Sequence, residues 1–247
     1  MLFERVAAHA SPAQWSEPYV APENRLVLPG AGAVQFGVAQ QSIFLDGITA
    51  LHVGQGTHYQ LRPEPGAGDR TSVVLSTQAA PGDPACARSW LLSASTLYRL
   101  QLAWLRLERG EWSAADTARE VRQLLRASPV RPAAKTPPAV DRARRFLAAQ
   151  SHGSHCLEEI ADQARISAFH LARSFARHAG LSLHAYRTRL RLAQAIRRLQ
   201  DGERDLAGLA VDLGFGSQSH FGEVFRTQVG VTPGQARAAL TRTSAGI

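Results

Sequence analysis

The sequence predicts a two-domain α+β chain: a β-rich N-terminal half ending in a helical hairpin, then an all-α half built on two helix-turn-helix repeats. Three observations carry this. Short β-branched and aromatic runs broken by Gly and Pro fill residues 19–62, the pattern of a sandwich or barrel. Four prolines stand in the run SPVRPAAKTPPA, residues 128–139, which cannot be helix interior or central strand and reads as a linker. Beyond it two segments repeat one another, the mark of a duplicated supersecondary unit. The expected boundaries are 1–127 for the first domain, 128–139 for the linker and 140–247 for the second domain.

In the first half LVL, VQFGV, SIFL, ITALHV and HYQL are the strand candidates. After Pro84 the texture turns helical. STLYRLQLAWLRLERG sets Leu97, Leu100, Trp104 and Leu107 at three- and four-residue spacing, and Gly110 ends the run, so an amphipathic helix is expected. Ser113 and Asp116 are spaced as a capping box, opening a second helix with Ala118, Val121 and Leu125. The apolar stripe of the first helix needs a cover, and either the β-domain or a second copy of the chain would supply it. Past the linker, helices are expected over 140–150, 157–164, 169–178, 185–200, 206–213 and 218–228, with a short piece near 235–241.

The repeat is residue by residue. Ile160 and Ala161 match Leu209 and Ala210, Ala164 matches Leu213, and, after one extra residue in the second turn, Ser167 matches Ser217. His170, Leu171, Phe175, Gly180, Ser182 and Arg187 then match His220, Phe221, Phe225, Gly230, Thr232 and Arg237. Each copy supplies a short helix, a turn, a Ser N-cap and a second helix, which is a helix-turn-helix. Leu171 with Phe175, and Phe221 with Phe225, face inward at four-residue spacing. That leaves Phe169, Ala172, Arg173, Ala176 and Arg177 outward in the first copy, and Gln218, Ser219, Gly222, Glu223 and Arg226 in the second. Gly230 ends the last reading helix, and Pro233 after Thr232 opens the next one, where proline is tolerated. His170 and His220 sit near the N-terminal turn of their helices, where capping or packing outweighs base contact.

Charge narrows the partner. The chain carries 28 Lys and Arg against 20 Asp and Glu, a net +8, and residues 139–247 hold 15 Arg against 9 acidic residues. A basic C-terminal half suits a polyanion. The longest uncharged stretch, 26–45, is broken by Pro29 and three glutamines, so no membrane span is expected, nor does the N-terminus carry the apolar run of a secretory signal, which makes the cytoplasm the expected location. Cys86 and Cys156 form no CxxC pattern and are expected as reduced thiols. His52 and His58 lack the spacing of a metal site, so neither metal nor cofactor is expected. No nucleophile-base or carboxylate pair stands out, which argues against an enzyme. Trp15, Tyr19 and Trp90 are either pocket or core aromatics.

Two stretches, ISAFHLARSFARHAGLSLHAYRTRLRLAQAIRRL and LAVDLGFGSQSHFGEVFRTQVGVTPGQAR, resemble the two signatures of the AraC/XylS family of bacterial transcription regulators. The resemblance covers about residues 140–240 and implies paired helix-turn-helix units joined by a long helix. It implies base contacts at Phe169, Ala172 and Arg173 in the first unit and at Gln218, Ser219 and Glu223 in the second. Phosphate contacts are expected at Ser167, Arg177, Arg187, Ser217 and Arg226. Two positions depart from the common pattern: Glu223, where a basic residue is frequent, and Ala236, where Tyr is usual. A carboxylate at 223 is suited to accept from a cytosine amine. The N-terminal half resembles the family's cupin-like barrel sensor, through ITALHVGQGTHYQLRP. Promoter DNA, RNA polymerase, a small-molecule effector of unknown identity and a homodimer are the partners the resemblance implies. Two other readings stay open: a constitutive DNA-binding dimer without a ligand, and a cupin-type metal enzyme fused to a DNA-binding module.

Overall fold

The computed structural model describes residues 2–8, 14–38, 41–67, 70–77, 87–132, 136–151, 153 and 155–241. In chain order the strands are β1 (Leu2–Ala8), β2 (Tyr19–Val20), β3 (Asn24–Pro29), β4 (Val34–Val38), β5 (Gln41–Leu45), β6 (Thr49–Val53), β7 (His58–Pro63), β8 (Arg70–Thr77) and β9 (Arg88–Leu91). Helices α1 (Ala94–Glu108) and α2 (Ala114–Arg126) follow, then a last strand, β10 (Val130–Pro132). The C-terminal half is α3 (Pro138–Ala149), α4 (Leu157–Ala164), α5 (Ala168–Ala179), α6 (Leu183–Gln200), α7 (Leu206–Asp212), α8 (Gln218–Val229) and α9 (Pro233–Leu240).

The strands make two antiparallel sheets, β1-β8-β3-β6-β9-β10 and β2-β7-β4-β5. Register follows burial. Leu26 on β3 pairs with Leu75 on one side and His52 on the other. Val34, Phe36 and Val38 of β4 alternate toward an apolar core with Leu45, Leu51 and Val53, as strands with one buried face must. The hydrogen bonds divide the strands expected in a sandwich or barrel between these two sheets. Strands β1, β8, β9 and β10 lie outside the stretch 19–62 in which strands were expected. The run RTSVVLST of β8 is as β-branched as any strand read from the sequence, but its partners, β1 and β3, are remote along the chain. Strand β10 falls inside the expected linker. It is an edge strand paired with β9 through Val130 opposite Trp90, a place where proline costs no ladder hydrogen bond. Residues 133–135 of the linker and Cys86 lie outside the described residues.

Helices α1 and α2 begin at Ser93 and Ser113, whose hydroxyls accept from the amides of Thr96 and Asp116, satisfying donors that a helix start leaves open. The Ser113 hydroxyl in turn donates to Asp116 at 2.6 Å. Leu97 and Leu100 of α1 are buried, while Trp104 and Leu107 are partly covered. Their cover comes from within the chain. Helix α1 packs on α2 and also on α6, α8 and α9, a partner surface that the sequence reading did not name.

One apolar core therefore runs through both halves, from Leu28, Ile48 and Leu75 to Leu147, Tyr186 and Phe221. A polar seam crosses it. Asp46, in the turn before β6, is wholly buried, and accepts from Ile48 N at 3.1 Å and Thr49 Oγ1 at 2.7 Å. The same carboxylate receives the Tyr186 hydroxyl of α6 and, at 3.2 Å, the Arg144 guanidinium of α3. Arg144 also donates to Tyr186 Oη at 3.1 Å and Phe44 O at 3.1 Å. Burial pushes the Tyr186 phenol well above its ordinary value. For Arg144 burial works downward, and Tyr186 and Asp46 beside it outweigh that, holding the guanidinium above its ordinary value. Nearby, Arg145 pairs with Glu64 at 2.8 Å and Arg197 donates to Gly30 O at 3.1 Å. A cleft of about 370 Å³ opens between the halves, with Gly32, Gly47 and Gly66 on one wall and Ala149, Gln194 and Arg197 on the other.

Candidate nucleic-acid interface

Two helix pairs, α4 with α5 and α7 with α8, are joined by short turns of the same construction. After α4 the amide of Ile166 donates to Ala161 O at 3.2 Å, and after α7 the amide of Phe215 donates to Ala210 O at 2.9 Å. This six-to-one closure needs a left-handed residue just before it. Arg165 fills that place in the first pair at φ 57°, and Gly214 in the second at φ 73°. The second helix of each pair is then capped by serine: Ser167 Oγ accepts from His170 N at 3.4 Å, and Ser217 Oγ from His220 N at 3.1 Å. His170 holds Ser167 through its ring nitrogen at 3.0 Å, and the His220 ring meets Phe215 edge-on at 5.8 Å. Both histidines thus serve the turn.

Inside, Leu171 and Phe175 of α5, and Phe221 and Phe225 of α8, are fully buried. This places the six expected base-reading positions in the open: Phe169, Ala172 and Arg173 on α5, and Gln218, Ser219 and Glu223 on α8 are all exposed. Phe169 is 71% exposed, unusual for a large apolar side chain with no structural duty. Of the five expected phosphate-binding residues, Ser167, Arg177, Ser217 and Arg226 are exposed. Arg187 is partly buried and donates to His155 O at 2.6 Å. Packing of α8 against α1 leaves its reading face free, since Val224 rather than Gln218, Ser219 or Glu223 is drawn toward the core.

Between the pairs lies α6, 18 residues or about 27 Å at 1.5 Å per residue. Sequence reasoning passed over the arginines that hold the pairs to it. Arg191 is buried among Leu190, Leu192 and Ala193, and an arginine between two core leucines was the available signal. It donates to Ser151 O at 2.8 Å, Gly153 O at 3.0 Å and Gly214 O at 2.9 Å. Burial first, and Arg187 second, lower its guanidinium to about 10. Arg198, at the end of α6, reaches Glu203 at 2.5 Å and Asp212 of α7 at 2.7 Å. From α3, Arg142 closes on the last carbonyl of α4, Ala164 O, at 2.6 Å.

Trp15 and Tyr19, the latter stacked on Tyr59 at 5.5 Å, belong to the four-stranded sheet, and Trp90 does not join them. Trp15 lies over Gly37 on the four-stranded sheet and borders a shallow groove with His58 and Gln60, whereas Trp90 sits on β9 of the other sheet. Cys156 is an exposed free thiol at the N-cap of α4. Among the described residues no helix is long and apolar enough to cross a membrane.

Residues 160–239 match the model of a helix-turn-helix domain. Curated relatives include the transcriptional activator RhaR of Enterobacter sp. (strain 638), 29% identical over 160 residues, and the transcriptional regulator MtrA of Neisseria gonorrhoeae, 33% identical over 81 residues. These matches take in 60% and 33% of this chain. The C-terminal third is an AraC-type helix-turn-helix domain. The chain spans only 57% of the length of RhaR and 27% of that of MtrA. Among solved structures, the C-terminal domain of AraT from Geobacillus stearothermophilus is 25% identical, over 46% of this chain and 95% of that one, with a TM-score of 0.43. ToxT of Vibrio cholerae O395 is 12% identical over 98% of this chain and 99% of its own, also at 0.43. Within the AraC-type domain the two departures from the common pattern take different places. Glu223 is on the exposed face of α8, and Ala236 is fully buried in α9.

Proposed function

We propose that this chain is a sequence-specific DNA-binding transcription regulator whose two helix-turn-helix units lay α5 and α8 into successive stretches of major groove. The observation that carries this is the matched pair of open faces. Two helices entered by similarly closed turns, with buried aromatic undersides, expose corresponding faces: Phe169 and Arg173 in one stand where Ser219 and Glu223 stand in the other, with Ala172 and Gln218 beside them. Exposed residues on a helix N-terminal half are what reaches base edges in such units. Arg177 and Arg226, one turn further on, serve the phosphates, with Ser167 and Ser217 at the helix starts. Different residues at equivalent positions imply a site of two unlike halves. Selection of bound sites from a random DNA pool by the full-length protein is expected to return such a bipartite sequence. A pool that fails to enrich would sink the proposal.

Regulation by a small molecule is the second part of the reading, and the cleft between the halves supports it. A ligand there touches α6 and the β-domain together, so it has a physical route to the orientation of the reading helices. Ligand-induced rise in melting temperature across a metabolite panel is the check. Promoter occupancy beside RNA polymerase completes the proposed role. Since α1 is covered from within the chain, a monomer is the expected state at micromolar concentration, and a dimer in sedimentation would overturn that.

A further inference from the structure

We infer that Arg191 is the residue that fixes the spacing and orientation of the two reading helices relative to each other. This rests on the DNA-reading proposal for its consequence, but not for its geometry. One guanidinium bridges the connection that precedes the first unit and the turn inside the second. Its Nε and Nη2 hold Ser151 O and Gly153 O, in the segment that leads into α4, while Nη1 holds Gly214 O, in the turn between α7 and α8. Its plane also lies 5.8 Å from the Phe215 ring that packs on Phe221. Ser151 and Gly214 are 63 residues apart in sequence, and α6, which carries Arg191, is the only helix between the two units.

The chemistry demands arginine at this point. Three carbonyl oxygens approach from two directions, and a planar fork of fixed donors meets them without rearrangement, whereas an ammonium offers one compact charge. The partners seen are neutral, so the residue is held for its geometry rather than for an ion pair. Burial of a cation against carbonyls alone is costly, and the depressed value of about 10 reflects that cost. Arg142 and Arg198 each tie a single unit to its neighbouring helix. Arg191 ties both. With the fork in place the pair of reading helices is one rigid reader that accepts one spacing of half-sites. Without it the units remain folded about their own aromatic cores, and the remaining contacts to α6 hold their relative orientation less tightly.

The test uses the full-length chain with Cys86→Ser and Cys156→Ser, the second keeping a hydroxyl at the α4 N-cap. Spin labels at Ala176→Cys and Thr227→Cys, both exposed, report the distance between α5 and α8. In the parent a single narrow distribution is expected, and in Arg191→Lys one at least twice as broad at unchanged helix content. Arg191→Gln is measured alongside, so that loss of fold in one variant leaves the other to decide. An equally narrow distribution in whichever variant folds overturns the inference, and so does loss of fold in both, because the role is then structural. This readout needs no DNA, so it stands whether or not a site is found. On the selected site, one base pair inserted between the halves is expected to weaken the parent at least tenfold and the variant less than threefold. Equal discrimination in both also overturns it.

Discussion

The two helix-turn-helix units share their construction and differ in what they spend on it. In the first, α5 carries two arginines and no acidic residue, and its turn is closed by Arg165 in a left-handed conformation. In the second, α8 carries one arginine balanced by Glu223, and glycine closes the turn. The buried pairs differ too, Leu171 with Phe175 against Phe221 with Phe225. The first reading helix is thus the more cationic and follows the more strained turn, and the second is the more heavily packed and the more neutral helix. Repetition of the fold leaves two reading helices of different charge and packing.

Four measurements break or sharpen that contrast. The largest effect is expected in the packing. Phe221→Ala should cost about 3–5 kcal/mol in urea unfolding and exceed Leu171→Ala at the equivalent place, which falls within the range of about 2–5 for a buried leucine. A smaller cost at Phe221 would show the second unit to be the looser one. Next comes base reading. Gln218→Ala and Arg173→Ala should each lose about 1–3 kcal/mol on the selected site and little on random DNA, relaxing preference in different halves of the site. Indifference of the selected site to Gln218 would move choice to the first unit. The turns follow. Gly214→Ala should destabilise by about 1–2 kcal/mol, while Arg165→Gly should gain up to about 1 kcal/mol, since only a residue without Cβ takes the left-handed region freely. Thermal unfolding showing both changes neutral would remove strain from the account. The gentlest effect is in salt dependence: Arg177→Ala and Arg226→Ala should each make the slope of log K against log salt shallower by about 0.9, with preference among sequences kept. An unchanged slope for Arg226 would assign all phosphate grip to the first unit.

The helical half was legible in the sequence because its signals are local. Caps at Ser167, Ser182, Ser217 and Thr232 and glycines at 180 and 230 sit within a few residues of the ends they define, and the 3.6-residue period of the apolar positions needs no knowledge of partners. The reading faces followed from the same period. The β-half was legible only between residues 19 and 62, where the runs are marked by their own β-branched and aromatic residues and by the Gly and Pro between them, although of these only β4 and β5 pair as neighbours. Strand β1 needs β8, some seventy residues later, and β10 needs β9 across the whole hairpin. No local pattern carries such pairing. Arg191 escaped for a related reason: its value lies in three backbone carbonyls, which have no sequence identity to detect.

The polar seam at Asp46 bears on how such a chain tolerates exchange of parts. Two halves joined by a flexible tether could be swapped among relatives with little regard for sequence. Here the carboxylate of Asp46 has no exposure to water and draws its partners from Arg144 and Tyr186 across the junction. Tyr186 also meets the ring of Phe175 on α5 at 5.2 Å. A transplanted reader lacking either partner would strand a buried charge, at a cost of several kcal/mol. A graft that respects the junction must carry the 46–49 turn together with α3 and α6. A cut at the proline run alone therefore leaves the two sides of this seam to be matched by the graft.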